Sequence, residues 1–139
     1  MRKLIAEAGL DDHFTVDSAG TGSWHIGRQP DPRTRAAARR RGIDLDHRAW
    51  QFTERDFDRF DLVVAVDVEN LRELEAMCSA PARGKLRLLR GFEPGAPPSA
   101  DVPDPYYGHD ADFDDVFAIC ERACGGLLDH LRDEVAGAD

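Results

Sequence analysis

The sequence predicts an α/β fold of three layers, in which a short parallel sheet is flanked by helices. Residues 62–66 (Leu-Val-Val-Ala-Val) are apolar without a break, which is typical of a parallel strand buried on both faces. Segments with strand character alternate with segments of helical periodicity, a pattern that favours parallel pairing. Helical periodicity also covers residues 112–135, a stretch long enough to lie across a sheet. The 139 residues contain no repeat or evident linker, so residues 1–139 are expected to form one domain.

The N-terminal third is expected to contain a helix, a strand and a loop. Residues 1–8 have helical character but begin without a capping residue. Residues 14–18 (Phe-Thr-Val-Asp-Ser) alternate and are rich in strand-forming side chains, so they predict a short strand. A loop rich in glycine and serine follows over residues 19–31.

A second helix is expected to follow that loop. Asp31 suits the N-cap, Pro32 suits the first helical position, and Gly42 suits the residue after the last turn. Residues 39–41 are all arginines and would lie in the last turn, where they complement the helix dipole. We favour that interpretation over a basic docking patch.

The remaining elements follow at regular intervals. Residues 48–52 are expected to be extended, and Thr53 is expected to cap a short helical turn. Residues 68–77 predict a helix and residues 85–89 a further strand. The C-terminal helix at 112–135 carries one apolar stripe, formed by Phe113, Val116, Phe117, Cys120, Cys124, Leu127, Leu128 and Leu131.

Charge and composition exclude several classes of partner. The net charge is −9, and residues 91–139 hold 12 acidic side chains against 2 arginines, so nucleic acid is not an expected partner. No apolar run approaches the length of a membrane span, and no signal peptide is evident, so neither membrane insertion nor secretion is expected. Three cysteines are too few for a disulfide framework, and a reducing cytoplasm is the expected location.

No cofactor or metal is expected. The five histidines show neither a His-x3-His pair nor cysteine partners at ligand spacing. No glycine-rich nucleotide motif follows a predicted strand, and no Gly-x-Ser-x-Gly motif is present.

The most informative motif is Val-Pro-Asp-Pro-Tyr-Tyr-Gly at residues 102–108. Pro103 and Pro105 restrict the backbone around Asp104, which would present its carboxyl group in a fixed direction. A proton donor to a leaving phenolate needs such positioning, and Tyr106 and Tyr107 could wall an aromatic ring. The alternative is a rigid surface turn on which the tyrosines pack as a lid.

A second cluster comprises Ser18-Ala19-Gly20-Thr21, Trp24-His25-Ile26-Gly27 and Asp31-Pro32-Arg33. Small residues that leave a strand and are followed by an exposed tryptophan suit the rim of a pocket. The alternative, and the better one for an isolated tryptophan, is that Trp24 covers the edge of the core.

Together these motifs resemble the low-molecular-weight protein-tyrosine phosphatases over nearly the whole chain. The matching segments are residues 16–21, 24–27, 31–33 and 47–51, Asp67 with Asn70, and residues 104–108. The resemblance implies hydrolysis of phosphotyrosine through a cysteinyl-phosphate intermediate, without metal or cofactor. The implied partner is a phosphotyrosine-containing protein or a small aryl phosphate.

The resemblance also implies the roles of individual residues. Asp104 would be the general acid, which protonates the leaving tyrosine and then activates water. The substrate entrance would be lined by Trp24, Tyr106 and Tyr107. Side chains that support the phosphate-binding loop would be Ser18, His47, Asp67 and Asn70.

The chain departs from the family in one major respect, because it contains no Cys-x5-Arg motif. The nearest approach, Cys78 to Arg83, is one residue too short, and neither Cys120 nor Cys124 has an arginine at that spacing. Residues 1–9 match the second half of the helix that follows this loop in the family. We therefore expect an N-terminally truncated phosphatase domain that is inactive as written. Smaller departures are Trp50, where the family usually has arginine, and Val66, where it usually has methionine.

The resemblance implies that the first central strand of the sheet is also missing, between residues 14–18 and 62–66. Five inward residues at about 1.5–3 kcal/mol each, with ladder hydrogen bonds of about 1 kcal/mol, amount to roughly 10 kcal/mol. That loss rivals the stability of a whole domain, and unpaired strand edges would favour self-association.

Two other functions remain open at this point. One is a non-catalytic module that binds phosphotyrosine or a protein through Trp24, Tyr106 and Tyr107. The other is an arsenate reductase of the same fold, which would need further redox cysteines near residues 78–90, where only Cys78 occurs.

Overall fold

The computed structural model describes residues 1–21, 31–45, 50–97, 100–103 and 110–138, with side chains from 112 to 134 in the last range. The helices are α1 (Arg2–Glu7), α2 (Pro32–Arg40), α3 (Val68–Met77) and α4 (Asp110–Ala138), and the strands are β1 (Val63–Ala65) and β2 (Leu86–Leu88). Three short 3₁₀ helices span Glu54–Asp58, Ala80–Lys85 and Leu89–Phe92. The elements expected at 1–8, 62–66, 68–77, 85–89 and 112–135 are therefore confirmed.

The two strands of the described chain pair in parallel, with Val64 opposite Arg87. Side chains of successive strand residues point to opposite faces, so the apolar run of β1 contributes to two clusters. Val63 and Ala65 pack on one face with Leu74 of α3. On the other face, Leu62 and Val64 pack against a cluster that contains Leu127 of α4. The sheet is therefore covered on both sides, as the unbroken apolar run predicted.

Helix α2 begins and ends as its sequence predicts. The Asp31 carboxylate accepts a hydrogen bond from the backbone N–H of Arg33 at 2.8 Å, and Pro32 occupies the first turn. The chain leaves the helix through Gly42, whose φ of 74° lies in the left-handed region that glycine tolerates.

The arginines at the end of α2 join this helix to α4. Arg40 forms an ion pair with Asp114 at 3.0 Å, and Arg41 forms one with Glu121 at 3.0 Å. The guanidinium of Arg41 also lies 5.9 Å from the centre of the Phe117 ring. These arginines thus connect two helices, besides lying where the helix dipole favours positive charge.

Thr53 caps the 3₁₀ helix Glu54–Asp58 as expected. The Asp56 carboxylate accepts hydrogen bonds from the backbone N–H of Thr53 at 2.8 Å and from its hydroxyl at 3.1 Å. Asp56 is buried, and the Thr53 amide is the main cause of its lowered pKa, with Arg59 contributing further. Phe57 follows and packs edge-on against Phe52 in the core.

The prediction of a strand at residues 14–18 was wrong, because this segment forms no strand. The Val16 carbonyl accepts hydrogen bonds from the guanidinium of Arg2 instead of a strand neighbour. Strand-like backbone pairing occurs only at Gly20, which forms a single isolated parallel bridge with Gln51. Strands persist when a neighbour satisfies their backbone groups, and the described chain provides none beside residues 14–18.

Helix α4 crosses the sheet in close contact with the 3₁₀ helix Leu89–Phe92. A side-chain carbon added at Gly126 would overlap the carbonyl oxygen of Phe92, so only glycine permits this approach. Although α4 is long, no helix in the described part of the chain has the length and apolar character needed to cross a membrane.

Candidate functional site

The candidate site lies at the carboxyl end of β1, where ligands bind in open α/β sheets. Residues 17–21 and Asn70 line a cavity of about 250 Å³ together with residues 62–66. Because residues 17–21 approach from a distant part of the sequence, the fold brings two of the predicted segments to the same place.

Asp67 and Asn70 organise the first turn of α3. The Asp67 carboxylate caps the helix by accepting a hydrogen bond from the backbone N–H of Asn70 at 2.7 Å. The Asn70 side-chain oxygen in turn accepts a hydrogen bond of 3.4 Å from the Thr21 hydroxyl. Asp67 therefore fixes Asn70, and Asn70 reaches the segment that begins at Ser18.

Ser18 lines the cavity and is exposed, and its backbone N–H donates a hydrogen bond to the Asp17 carboxylate at 2.8 Å. The indole N–H of Trp50 donates to the same carboxylate oxygen at 3.3 Å. Gly20 then binds residues 50–52 through two backbone hydrogen bonds, from Gly20 N to the Trp50 carbonyl and from Phe52 N to the Gly20 carbonyl. Trp50 thus has a structural role, since it connects the cavity wall to the core cluster around Phe52.

The segment 101–108, which contains Asp104 and which we call the acid loop, is anchored at the same edge through its first two residues, the loop root. The backbone N–H of Val102 donates to the Val66 carbonyl at 2.8 Å, directly after β1. The Asp101 carboxylate accepts a hydrogen bond of 2.7 Å from the backbone N–H of Val68, at the start of α3. Two consecutive residues of the loop are therefore attached to the two ends of the β1–α3 connection.

Arg90 also holds the loop root. Its guanidinium donates a hydrogen bond to the Asp101 carbonyl at 2.8 Å and forms an ion pair with Glu93 at 2.7 Å. The carboxylate of Glu93, 7% exposed, also binds Arg122 of α4 at 3.1 Å. The hydrogen bond from Arg90, followed by that from Arg122, holds the pKa of Glu93 below its usual value of 4.5.

Three of the predicted site residues, Ser18, Asp67 and Asn70, are thus brought to one edge of the sheet. The other five, Trp24, His47, Asp104, Tyr106 and Tyr107, lie outside the described residues. Their roles remain predictions.

Sequence reasoning missed Asp101 and Arg90, and it noted Trp50 only as a departure from the family without a role. Asp101 immediately precedes the acid loop and could have been considered as a second helix cap, although its partner lies 33 residues earlier. The ion pair of Arg90 with Glu93 joins residues three apart and had a local signal, whereas its hydrogen bond to the Asp101 carbonyl joins residues 11 apart and had none.

Cys120 is poorly suited to act as a nucleophile. Burial is the main cause that raises the pKa of Cys120 to about 11, and the neighbouring Cys124 raises it further. A thiol with this pKa is almost entirely protonated at neutral pH and is a poor nucleophile. The Cys78 thiol lies against its own helix end, 3.1 Å from the Ser79 carbonyl oxygen.

Comparisons of the sequence and of the structure with known proteins point to the same family. Residues 1–137 match the family model described as low molecular weight phosphotyrosine protein phosphatase. A low molecular weight protein-tyrosine-phosphatase of Streptomyces coelicolor is 44% identical, over 98% of this chain and 84% of its own length. A low molecular weight phosphotyrosine protein phosphatase of the pig (Sus scrofa) is 36% identical, over 94% of this chain and 83% of its own length. The structure superposes on a protein tyrosine phosphatase of Entamoeba histolytica with a TM-score of 0.91 and 34% identity, covering 96% of this chain and 85% of the other.

Proposed function

Because this chain belongs to the low molecular weight phosphotyrosine protein phosphatases, we propose that it forms the acid-bearing part of a site that hydrolyses phosphotyrosine. Its substrate is phosphotyrosine in a protein or a small aryl phosphate. The observation that carries the proposal is the anchoring of Asp101 and Val102 at the carboxyl end of β1. This anchoring fixes the chain immediately before Asp104.

In the proposed mechanism Asp104 acts as the general acid. Cleavage of an aryl phosphate releases a phenolate, which is a poor leaving group until it is protonated. The carboxylate that remains then accepts a proton from the water that attacks the phosphoenzyme. Pro103 and Pro105 limit the directions in which Asp104 can point, and the two hydrogen bonds before Pro103 fix where that stretch starts.

The nucleophile and the phosphate-binding arginine are the parts that these 139 residues do not supply. No Cys-x5-Arg motif occurs in the sequence, and the raised pKa of Cys120 makes it unsuitable as a substitute. We therefore expect no thiolate-dependent turnover from the 139-residue chain by itself. Trp24, Tyr106 and Tyr107 would line the substrate entrance, with Ser18, His47 and Asn70 supporting the loop that holds the phosphate.

A second candidate is a non-catalytic module that binds phosphotyrosine or a partner through Trp24, Tyr106 and Tyr107. The absence of the Cys-x5-Arg motif from the sequence favours it. The presence of Asp104 favours hydrolysis, since binding alone requires no proton donor.

The test is hydrolysis of p-nitrophenyl phosphate by the 139-residue chain, beside a version extended upstream of Met1 through a Cys-x5-Arg loop. Circular dichroism on both proteins establishes that they are folded. Activity of the extended protein alone, abolished by iodoacetate, is the expected result. A folded but inert extended protein would favour the binding module, and iodoacetate-sensitive hydrolysis by the short chain would contradict the assignment of the nucleophile.

A further inference from the structure

Arg90 connects the 3₁₀ helix Leu89–Phe92 to the loop root. Its guanidinium donates through Nε to the Glu93 carboxylate at 2.7 Å and through Nη1 to the Asp101 carbonyl at 2.8 Å. A guanidinium group is planar and holds its N–H groups in fixed relative directions. Once Nε is bound to Glu93, the directions in which Nη1 can point are therefore narrowly restricted.

Glu93 is the residue that fixes Arg90. Its carboxylate is 7% exposed, and each oxygen serves one arginine, Oε2 that of Arg90 and Oε1 that of Arg122, the latter at 3.1 Å. The backbone N–H of Glu93 also donates to the Arg90 carbonyl at 3.1 Å, so one turn of chain holds both residues. An arginine side chain loses much rotamer freedom when it is held in one conformation, and charge-assisted hydrogen bonds offset that loss.

The Glu93 carboxylate is ionised at neutral pH although it is buried. Burial by itself favours the protonated form, but the hydrogen bond from Arg90, followed by that from Arg122, holds the pKa of Glu93 below its usual value. Glu93 is therefore a charged anchor for the guanidinium of Arg90.

The pair formed by Arg90 and Glu93 is not needed to attach the 3₁₀ helix to α4. Leu89 is buried in one cluster with Ala123 and Leu127 of α4, and the Phe92 carbonyl lies so close to Gly126 that a side-chain carbon there would overlap it. These contacts already join the two elements. What Arg90 adds to them is its hold on the backbone of Asp101.

The loop root is consequently attached to two separate parts of the fold. The Asp101 carboxylate and the Val102 N–H bind the connection between β1 and α3, at the Val68 N–H and the Val66 carbonyl. The Asp101 carbonyl binds Arg90. Attachment to two parts of the fold restricts both the position and the direction of the chain that continues into the acid loop.

We propose that Arg90 and Glu93 are positioning residues for the general acid, and that they matter for aryl phosphates whose phenolate leaves poorly without a proton. Glu93 holds the Arg90 guanidinium, the guanidinium holds the Asp101 carbonyl, and this carbonyl lies three residues before Asp104. Both residues act through Asp104, so the inference rests on the function proposed above. Proton transfer in a transition state requires close placement of the donor, and misplacement by about 1 Å can cost about 10²-fold in rate.

The test compares two substrates in the extended protein. When a reaction proceeds through a phosphoenzyme, kcat/KM reports the step in which the leaving group departs. The ratio of kcat/KM for phenyl phosphate to that for p-nitrophenyl phosphate, which we call the leaving-group ratio, therefore measures the acid. Arg90→Lys replaces the planar fork by a single ammonium, and Glu93→Gln leaves one acceptor oxygen in place of two. Each should lower the leaving-group ratio by at least about tenfold.

A double variant shows whether the effect passes through Asp104. With Asp104→Asn already present, Arg90→Lys should lower the leaving-group ratio no further, because residues that act through one group are not additive. Hydrogen exchange at the Val102 amide should become faster in Arg90→Lys. Arg40→Gln is the matched control, because it breaks an ion pair with Asp114 of α4 and leaves the loop root intact. It should change neither the leaving-group ratio nor the exchange at Val102.

The outcomes separate this inference from the function on which it rests. Circular dichroism checks the fold of each variant, and Arg90→Lys keeps the charge, so it carries the test if Glu93→Gln unfolds. Equal losses on both substrates in a folded Arg90→Lys protein would show a merely structural role and overturn the inference. A further fall of the ratio in the double variant would do the same. An inactive extended protein, or an unchanged ratio in Asp104→Asn, would overturn the proposed function and this inference together.

Discussion

The carboxylate of Asp101 accepts a hydrogen bond from the backbone N–H of Val68, with the two atoms 2.7 Å apart. Val68 is the first residue of α3, whose N-terminal amides have no partners within the helix. Asp67 satisfies one of these amides by capping, and Asp101 satisfies another from a distant loop. One side chain thus completes a helix end and fixes the segment before the proposed general acid.

This relationship predicts the effect of altering Asp101. Asp101→Ala should lower the free energy of unfolding by about 0.5–1.5 kcal/mol, because an exposed hydrogen bond to a helix amide is lost. Asp101→Asn retains a side-chain oxygen acceptor and should lose less. Urea denaturation measures the stability, and hydrogen exchange of the Val68 amide locates the change. Unchanged exchange at Val68 in the alanine variant would contradict the assigned contact.

Asp104 should affect hydrolysis according to the leaving group. In the extended protein, Asp104→Asn should lower kcat by about 10²–10⁴-fold for phenyl phosphate, whose leaving group needs protonation. The effect should be smaller for p-nitrophenyl phosphate, because p-nitrophenolate leaves without a proton more readily. Steady-state kinetics on both substrates provides the test. Asp115→Asn, at an exposed position of α4, serves as control. Equal losses on the two substrates would argue against a general-acid role.

Two adjacent glycines of α4 should respond in opposite directions. Gly126→Ala should destabilise the protein by about 1–3 kcal/mol, because the added carbon overlaps the Phe92 carbonyl oxygen. Gly125→Ala meets no atom within 4 Å and should stabilise it by up to about 1 kcal/mol through helix propensity. Thermal unfolding of both variants tests the pair. A stabilising Gly126→Ala would show that α4 and the 3₁₀ helix Leu89–Phe92 are further apart.

Glu93 should make stability depend on pH in the acid range. Its pKa is lower in the folded protein than its usual value of 4.5, so the unfolded chain takes up its proton first. The stabilisation is therefore complete above about pH 4.5 and is lost as the pH falls through the lower folded value. Glu93→Gln should cost about 1–3 kcal/mol at pH 7 and flatten the dependence below pH 4.5.

Urea denaturation from pH 7 to pH 3 measures this dependence. The control is Glu121→Gln, which removes an ion pair in which Glu121 is 63% exposed and should cost at most about 1 kcal/mol. If the two variants showed the same slope with pH, Glu93 would not be the group responsible.

Cys120 should resist alkylation in the folded protein. With a pKa of about 11, about 0.1% of this thiol is ionised at pH 8, against about 10% for a thiol at 9.0. Iodoacetamide should therefore modify Cys120 at least about tenfold more slowly in the folded chain than in urea. Mass spectrometry of the labelled peptides gives the rates. Equal rates in the two states would mean that Cys120 is neither buried nor protected.

Local sequence patterns determined much of this protein. The unbroken apolar run identified β1 because a strand covered on both faces has no polar side. Asp31 marked the start of α2 because a carboxylate before a helix satisfies an amide only two residues away. The family motifs are also short and continuous, and they named Ser18, Asp67 and Asn70, which the structure brings to one edge of the sheet.

Tertiary structure decided what depends on partners far along the chain. The pairing of Asp101 with Val68 joins residues 33 apart, and that of Trp50 with Asp17 joins residues equally distant. Residues 14–18 have the composition of a strand, yet form none, because a strand needs a neighbour to satisfy its backbone groups. Composition sets what a segment can form, whereas hydrogen-bond partners and packing set what it does form.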